Sequence, residues 1–223
     1  MAILTAEQKV ERAHVSIMQS KLFRFYSGLT MIGKVSVSDD IPTAGTNGRD
    51  VIYGKEFVSK LNDKQMLFVV LHELSHIAWR HTTTWKHLYD KDPMLANCAC
   101  DYVINLQLVD QDPDQLEIMF PTNPDGSRMG LLDEKYRGMD AQQVFNLLVQ
   151  EYGTGQNPRA KDELGDDQFD DHDFEGAEEL SAEEKQELGS RITQALHQGK
   201  QLAGKMGGDV PLGMQALVEP QVP

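Results

Sequence analysis

Apolar residues recur with helical spacing near the start of the chain and then give way to short alternating runs. Thr5 and Gln8 form a capping box, and the apolar positions behind them predict a helix that continues until Gly28 stops it. The runs Val35–Ser38 and Arg49–Tyr53 read as two short strands, and the residues between them are rich in turn formers. The pattern therefore predicts a small sheet after the first helix.

A second helix carries the most informative motif of the sequence. Asn62 and Gln65 resemble a capping box, and the residues Met66–Leu71 are apolar on every side of a helix, so this helix should be buried. The segment His72-Glu73-Leu74-Ser75-His76 follows in the same helix and forms an H-E-x-x-H motif. Buried histidines need a partner, which favours a bound metal ion over histidines that merely pack.

The spacing of this motif suits a catalytic zinc ion. His72 and His76 lie one helical turn and about 40° apart, so both imidazoles can converge on one ion. Glu73 lies about 100° round the helix from His72, where its carboxylate can reach a water on the ion rather than the ion itself. Zinc lowers the pKa of such a water to about 7, so a carboxylate can take its proton.

A third helix follows closely and carries a polar stripe. Asp92-Pro93 supplies an N-cap and a first helical residue. Asn97, Asp101 and Asn105 then follow at successive i+4 steps on an otherwise apolar helix. The stripe is either a solvated face or a carboxylate ligand held by two amide groups. Its closeness to the H-E-x-x-H helix favours the second interpretation.

A catalytic zinc ion needs a third protein ligand, and three residues are candidates. Asp101 is the best placed, because it lies on a neighbouring buried helix with Asn97 and Asn105 as donors to its carboxylate. His81 is nearest in sequence, but on a continuous helix it lies about 140° round from the second histidine of the motif. It could serve only if the helix broke before it, and the threonines that follow it favour a break slightly too late. His87 is a more remote alternative.

Composition narrows the class of protein. The 21 Lys and Arg against 35 Asp and Glu give a net charge of −14, which disfavours nucleic acid as a partner. No run is apolar enough to span a membrane, and residues 1–10 lack a secretory pattern. Cys98 and Cys100 are the only cysteines and point to nearly opposite sides of a helix. We therefore expect reduced, buried cysteines in a cytoplasmic protein.

The chain changes character after a helix predicted for Asp140–Tyr152. The segment Asp162–Glu187 has few aromatic or branched residues and reads as a flexible acidic loop that could face a protein partner. Asp171 and Asp173 are spaced like the start of a calcium loop, but its terminal Glu is missing, so a solvated loop is the better interpretation. The sequence leaves open whether His172, in the same loop, contacts the metal.

Several segments together resemble a known metallopeptidase family. The arrangement is similar to the N-terminal, zincin-like domain of the von Willebrand A-like metallopeptidases of bacteria and phages. The metzincins are excluded, because Trp79 and Thr82 stand where their signature needs Gly and then His or Asp. The matching segments cover most of residues 5–152 in a specific order: Thr46-Asn47-Gly48-Arg49-Asp50-Val51-Ile52-Tyr53, His72-Glu73-Leu74-Ser75-His76, Arg80-His81, Asn97-Cys98-Ala99-Cys100-Asp101-Tyr102-Val103-Ile104-Asn105 and Tyr136-Arg137-Gly138-Met139-Asp140.

The resemblance implies a fold, an ion and a reaction. The fold is expected to be α+β and zincin-like, with a small twisted sheet beside the buried H-E-x-x-H helix and further helices outside. One Zn²⁺ is expected to bind His72, His76 and Asp101, and Glu73 is expected to be the catalytic base. The expected reaction is the hydrolysis of a protein or peptide substrate. Arg49–Tyr53 is expected to be an edge strand that holds the peptide by strand addition.

The family also sets an expected organisation of the chain. Residues 1–160 are expected to form the metallopeptidase domain and residues 161–180 the acidic loop. Residues 181–223, with a helix from about Ser181 to Ala203, would lead towards the second domain of that family.

Tyr136 and Tyr102 are candidate stabilisers of a tetrahedral intermediate, although each is also a typical packed aromatic.

Two alternatives to an active peptidase stay open. The protein could be a non-catalytic, zinc-containing module for protein interactions, or a latent peptidase whose acidic segment blocks the cleft. The presence of Glu73 favours an enzyme, because a purely structural metal site has no use for a base at that position.

Overall fold

The computed structural model describes residues 4–155, 157–165 and 180–219, and this part of the chain is α+β. No helix within these ranges is both long and apolar enough to cross a membrane. Short 3₁₀ helices cover Arg24–Met31, Glu134–Tyr136 and Leu212–Met214, and a π-helical turn covers Lys161–Gly165. The helices and strands are α1 (Ala6–Gln19), β1 (Val35–Ser38), β2 (Ala44–Thr46), β3 (Val51–Gly54), α2 (Lys55–Lys60), α3 (Asp63–Trp79), α4 (His81–Thr84), α5 (Lys86–Tyr89), α6 (Pro93–Gln111), α7 (Ala141–Tyr152), α8 (Pro158–Ala160), α9 (Ala182–Met206) and α10 (Gln215–Val218).

The three strands form one sheet in the order β1–β3–β2. β3 pairs in parallel with β1, where Val51 lies opposite Val35, and antiparallel with β2, where Tyr53 lies opposite Ala44. The prediction that Arg49–Tyr53 is an edge strand is therefore wrong, because β3 begins at Val51 and lies in the centre of the sheet. The missing neighbour is β2, which forms inside the stretch that was predicted to be a turn.

α1 begins at the predicted capping box but ends at Gln19, well before Gly28. The Ser20 hydroxyl accepts a hydrogen bond from the backbone N–H of Phe23 at 2.7 Å, which favours a turn over a further helical turn. The Arg24 guanidinium donates to two carbonyls of the last helical turn, so the end of the helix is satisfied by a side chain. The residues from Arg24 onwards form a separate 3₁₀ helix.

α3 is the buried centre of the fold. Its predicted capping box is confirmed, because the Asn62 side chain accepts from the Gln65 N–H at 3.0 Å and the Gln65 side chain accepts from the Asn62 N–H at 3.0 Å. Every residue from Gln65 to Ala78 is buried. The apolar run therefore has the all-round burial that its pattern predicts, and the H-E-x-x-H motif lies inside the protein.

α6 separates two hydrophobic clusters. Ile104 and Leu108 belong to the larger cluster, which includes α1, the sheet and α3, whereas Tyr102 and Leu106 belong to a second cluster that includes α7. Because both sides of α6 are covered, its polar stripe is enclosed, and Asp101 is only 2% exposed. The interpretation of this stripe as a solvated face is therefore wrong.

α9 packs directly on the backbone of the 3₁₀ helix Arg24–Met31. A Cβ atom on Gly199 would collide with the carbonyl oxygen of Phe25, and one on Gly28 would collide with the carbonyl oxygen of Ala195. The two glycines therefore permit a contact that no larger residue would allow.

We expect the substitution Gly199→Ala to lower the free energy of unfolding by about 1–3 kcal/mol, because the added methyl group has no space. Chemical denaturation measures this difference. Gly204→Ala is the matched control on the same helix, where an added Cβ meets nothing within 4 Å. The control should equal the wild type or exceed its stability by up to about 1 kcal/mol. Equal destabilisation by both substitutions would contradict the close packing.

Candidate metal centre

His72, His76 and Asp101 bring three potential ligand atoms together. The two histidines lie on successive turns of α3, and their Nε2 atoms are 3.1 Å apart. Asp101 Oδ1, from α6, lies 3.7 Å from Nε2 of His72 and 3.4 Å from Nε2 of His76. These residues are between 0% and 2% exposed, so bulk water does not solvate them.

The triangle of these three atoms has the size that a zinc ion requires. Ligand atoms on a tetrahedral zinc, with bonds of about 2.0–2.2 Å, lie roughly 3.3–3.6 Å apart. The observed separations are 3.1, 3.4 and 3.7 Å. The shortest distance from which one point can contact all three atoms equally is therefore about 2.0 Å, so this spacing admits zinc bonds of about 2.0–2.2 Å. Imidazole and carboxylate are also donors that zinc accepts, so the residues fit this ion.

Asn105 fixes the ring of His72. The Asn105 Nδ2 atom donates to the carbonyl oxygen of Leu131 at 2.8 Å, which leaves the Oδ1 atom facing His72 Nδ1 at 2.8 Å. His72 Nδ1 is therefore the protonated nitrogen, and Nε2 keeps its lone pair towards the triad. The polar stripe predicts that Asn105 holds the Asp101 carboxylate, whereas the structure places its amide against the histidine.

Asn97 occupies the other end of the polar stripe. Its Nδ2 atom contacts Asp101 Oδ2 at 3.4 Å. Asn97, rather than Asn105, is therefore the amide that contacts the Asp101 carboxylate. The earlier histidine of α3, His72, contacts the later residue of α6, Asn105. The later histidine, His76, is the one closer to the earlier residue, Asp101. α3 and α6 are therefore antiparallel where they form the site.

Glu73 lies in the motif beside His72 and is fully buried. Its negative charge acts on Tyr53 of β3: burial first, and this charge second, raise the pKa of Tyr53 well above its ordinary value. The tyrosine therefore stays protonated, and its hydroxyl has no hydrogen-bond partner within the described part of the chain. Tyr53 cannot be identified from the sequence, because an aromatic residue in a short strand gives no sign that it will lie near a carboxylate.

His81 and His87 occupy different places from the triad. α3 ends where Arg80 adopts a left-handed φ of 52°, so the helix breaks before His81 and not at the threonines that follow it. His81 Nδ1 then lies 3.0 Å from Nδ1 of His76, the ring nitrogen on the opposite side from the triad. His87 is exposed, and its Nε2 atom contacts the side chain of Gln142 at 2.7 Å.

Tyr136 belongs to the second hydrophobic cluster. Its ring centroid lies 4.6 Å from that of Tyr102, and the Lys135 ammonium lies 4.7 Å from the centre of its ring. Among the described residues these contacts tie Tyr136 to the cluster rather than to the triad, and its role in stabilising an intermediate stays a prediction. His172 and most of the acidic segment, residues 166–179, lie outside the described residues.

A comparison with protein families covers nearly the whole chain. A family model with the description "Putative metallopeptidase domain" matches residues 5–223. This description and the buried His-His-Asp triad point to the same class of metal-dependent chemistry. No curated protein and no solved structure matches the chain.

Loss of the Asn105 amide should weaken zinc binding although no ligand is removed. We expect Asn105→Ala to lower the zinc affinity about 10–100-fold, because the ring of His72 loses the group that orients it. Competition with a chromogenic chelator measures the affinity. Asn146→Ala, at an exposed position of α7, is the matched control and should bind like the wild type. A folded Asn105→Ala protein with wild-type affinity would contradict the orienting role.

Proposed function

This chain belongs to the family described as "Putative metallopeptidase domain", and from that premise we propose that it is a zinc-dependent metallopeptidase that hydrolyses peptide bonds. The observation that carries the proposal is the convergence of His72, His76 and Asp101 at zinc-ligand spacing, with a buried Glu73 in the same motif. Three protein ligands are the number that catalytic zinc sites use, since a fourth position then serves the reaction.

Glu73 performs the proton transfers in the proposed reaction. When bound to the triad, the zinc ion would act as a Lewis acid, which activates a water molecule and polarises the substrate carbonyl. Glu73 accepts the proton of the attacking water and passes it to the leaving amine. Its burial places it in a low-dielectric setting, where a charge acts more strongly on nearby groups than it does in water.

The proposal extends to the fold, which we assign to the zincin-like class. Its support is the placement of a small sheet beside the buried helix that carries H-E-x-x-H. Because β3 is paired on both sides, a peptide that joins the sheet as a further strand has to pair with β1 or β2. β2 is nearer the site, since it packs against α3, but its residues are buried, so a peptide pairs with it only after covering parts of the chain move.

The burial of the site supports a latent peptidase as an alternative to an active one. Glu73 and the three ligands are between 0% and 2% exposed, so a peptide reaches them only after neighbouring parts of the chain move. That the acidic segment Asp162–Glu187 blocks the cleft stays a prediction. Complete burial is also typical of a structural metal site, which supports a non-catalytic interaction module as the second candidate.

The substitution Glu73→Gln tests for an active peptidase, as opposed to the latent form or the non-catalytic module. We expect the variant to keep its zinc and to lose at least about 10²–10⁴-fold in turnover, because a neutral amide cannot accept the proton. The measurement is cleavage of a mixed peptide library by the zinc-loaded protein, followed by mass spectrometry.

Glu11→Gln, at an exposed position of α1, is the matched control and should cleave like the wild type. Equal cleavage by Glu73→Gln would remove Glu73 as the base. A zinc-loaded wild type that cleaves no peptide in the library would instead favour the non-catalytic module or the latent form.

A further inference from the structure

His81 lies against the side of His76 that faces away from the triad. The two Nδ1 atoms are 3.0 Å apart, and the two rings are nearly perpendicular, with an angle of 87°. The Nε2 atom of His76 points the other way, towards His72 and Asp101. His81 is only 3% exposed, so the pair is enclosed in the protein. Both ring nitrogens of His76 therefore have a defined neighbour.

We propose that His81 is a positioning residue that orients His76 for metal binding and does not itself bind the metal. A neutral imidazole that binds through Nε2 carries its proton on Nδ1. The Nδ1–H group of His76 then donates to Nδ1 of His81, which fixes both the tautomer and the ring angle of the ligand. This inference rests on the metal site of the proposed function.

Arg80 brings His81 into this position. The left-handed conformation of Arg80, with φ of 52°, ends α3 and turns the chain back, so that the next residue lies beside His76. A residue with a side chain adopts this conformation at a conformational penalty, so contacts elsewhere have to hold it. The Arg80 guanidinium supplies them, because it donates to the Gly189 carbonyl at 2.9 Å and to the Thr193 hydroxyl at 2.5 Å.

These contacts connect α9 to the metal ligand. Gly189 and Thr193 belong to α9, the helix that packs on the 3₁₀ helix through close glycine contacts. A chain of contacts, here called the route, therefore runs from α9 through Arg80 and His81 to His76. Of these residues only His76 is a proposed metal ligand. Removal of an early member should therefore weaken the metal site without removing a donor from it.

Zinc affinity in full-length variants tests the proposal. We expect His81→Ala to bind zinc about 10–100-fold more weakly than the wild type. His81→Asn should restore most of the affinity, because the amide oxygen of Asn can accept a hydrogen bond from about the place of the imidazole Nδ1 atom. His87→Ala, at the exposed histidine that contacts Gln142, should bind like the wild type.

A nitrogen-15 spectrum of the zinc-loaded protein adds a readout that a general loss of stability would not change. In the wild type the His76 Nδ1 atom should be protonated and hydrogen-bonded, and in His81→Ala that hydrogen-bond signature should disappear. Wild-type affinity in His81→Ala would overturn the inference. Complete loss of zinc in both His81→Ala and His81→Asn, as expected for His76→Ala, would make His81 a ligand and overturn it as well.

The combination of two substitutions tests the route through Arg80. Arg80→Met should weaken zinc binding in the wild-type background, and it should have no further effect in the His81→Ala background, because its action passes through that histidine. Additive losses in the double variant would overturn the route. A wild type that binds no zinc would remove the proposed function too, whereas a zinc-binding wild type with an unaffected His81→Ala would remove only this inference.

Discussion

Four ionisable side chains of α3 and α6 lie at the centre of the fold and have almost no contact with solvent. His72, Glu73, His76 and Asp101 are between 0% and 2% exposed. Charged groups are expensive to bury unless other groups compensate them, so this cluster requires fixed partners on every side. The antiparallel contact of α3 with α6 supplies the first of these partners, because it places the carboxylate of one helix beside the histidines of the other.

The surrounding architecture follows from this requirement. α6 has a hydrophobic cluster on each side, so its polar stripe has nowhere to face except α3. The amide of Asn105 bridges His72 and a backbone carbonyl, while His81 lies behind His76. Each ring of the triad is thus held from the side opposite to the proposed ion, and a metal would meet ligands that are already oriented. A triad that is oriented in advance loses little freedom on binding.

The features that could be predicted from the sequence are those that neighbouring residues determine. Capping boxes predicted the starts of α1 and α3, because the side chain at the third helical position hydrogen-bonds back to the cap. The helices predicted from Asp140 and from about Ser181 are present as α7 and α9. The continuous apolar pattern likewise predicted the burial of α3. The pairing of His72 and His76 with Asp101 followed from helical spacing and from one acidic residue on a buried stripe.

The features that could not be predicted depend on distant contacts. α1 ends early where Arg24 donates both to its last carbonyls and to the carbonyl of Met206 at the end of α9, and α3 ends early where Arg80 is held by α9. Because α3 ends at Arg80, His81 lies beside Nδ1 of His76 instead of on the opposite side of a continuous helix. No local sequence pattern indicates this break. The third strand, β2, exists because it pairs with β3 and packs on α3, although its residues resemble a turn.

The central claim is that His72, His76 and Asp101 together hold one zinc ion, and native mass spectrometry of the full chain tests it directly. Wild-type protein purified without chelator and supplied with zinc should carry one ion per chain. Asp101→Asn, which keeps the shape of the side chain and removes its charge, should lose most of that ion under the same conditions. A wild type without zinc, or an Asp101→Asn variant that retains a full equivalent, would contradict the claim.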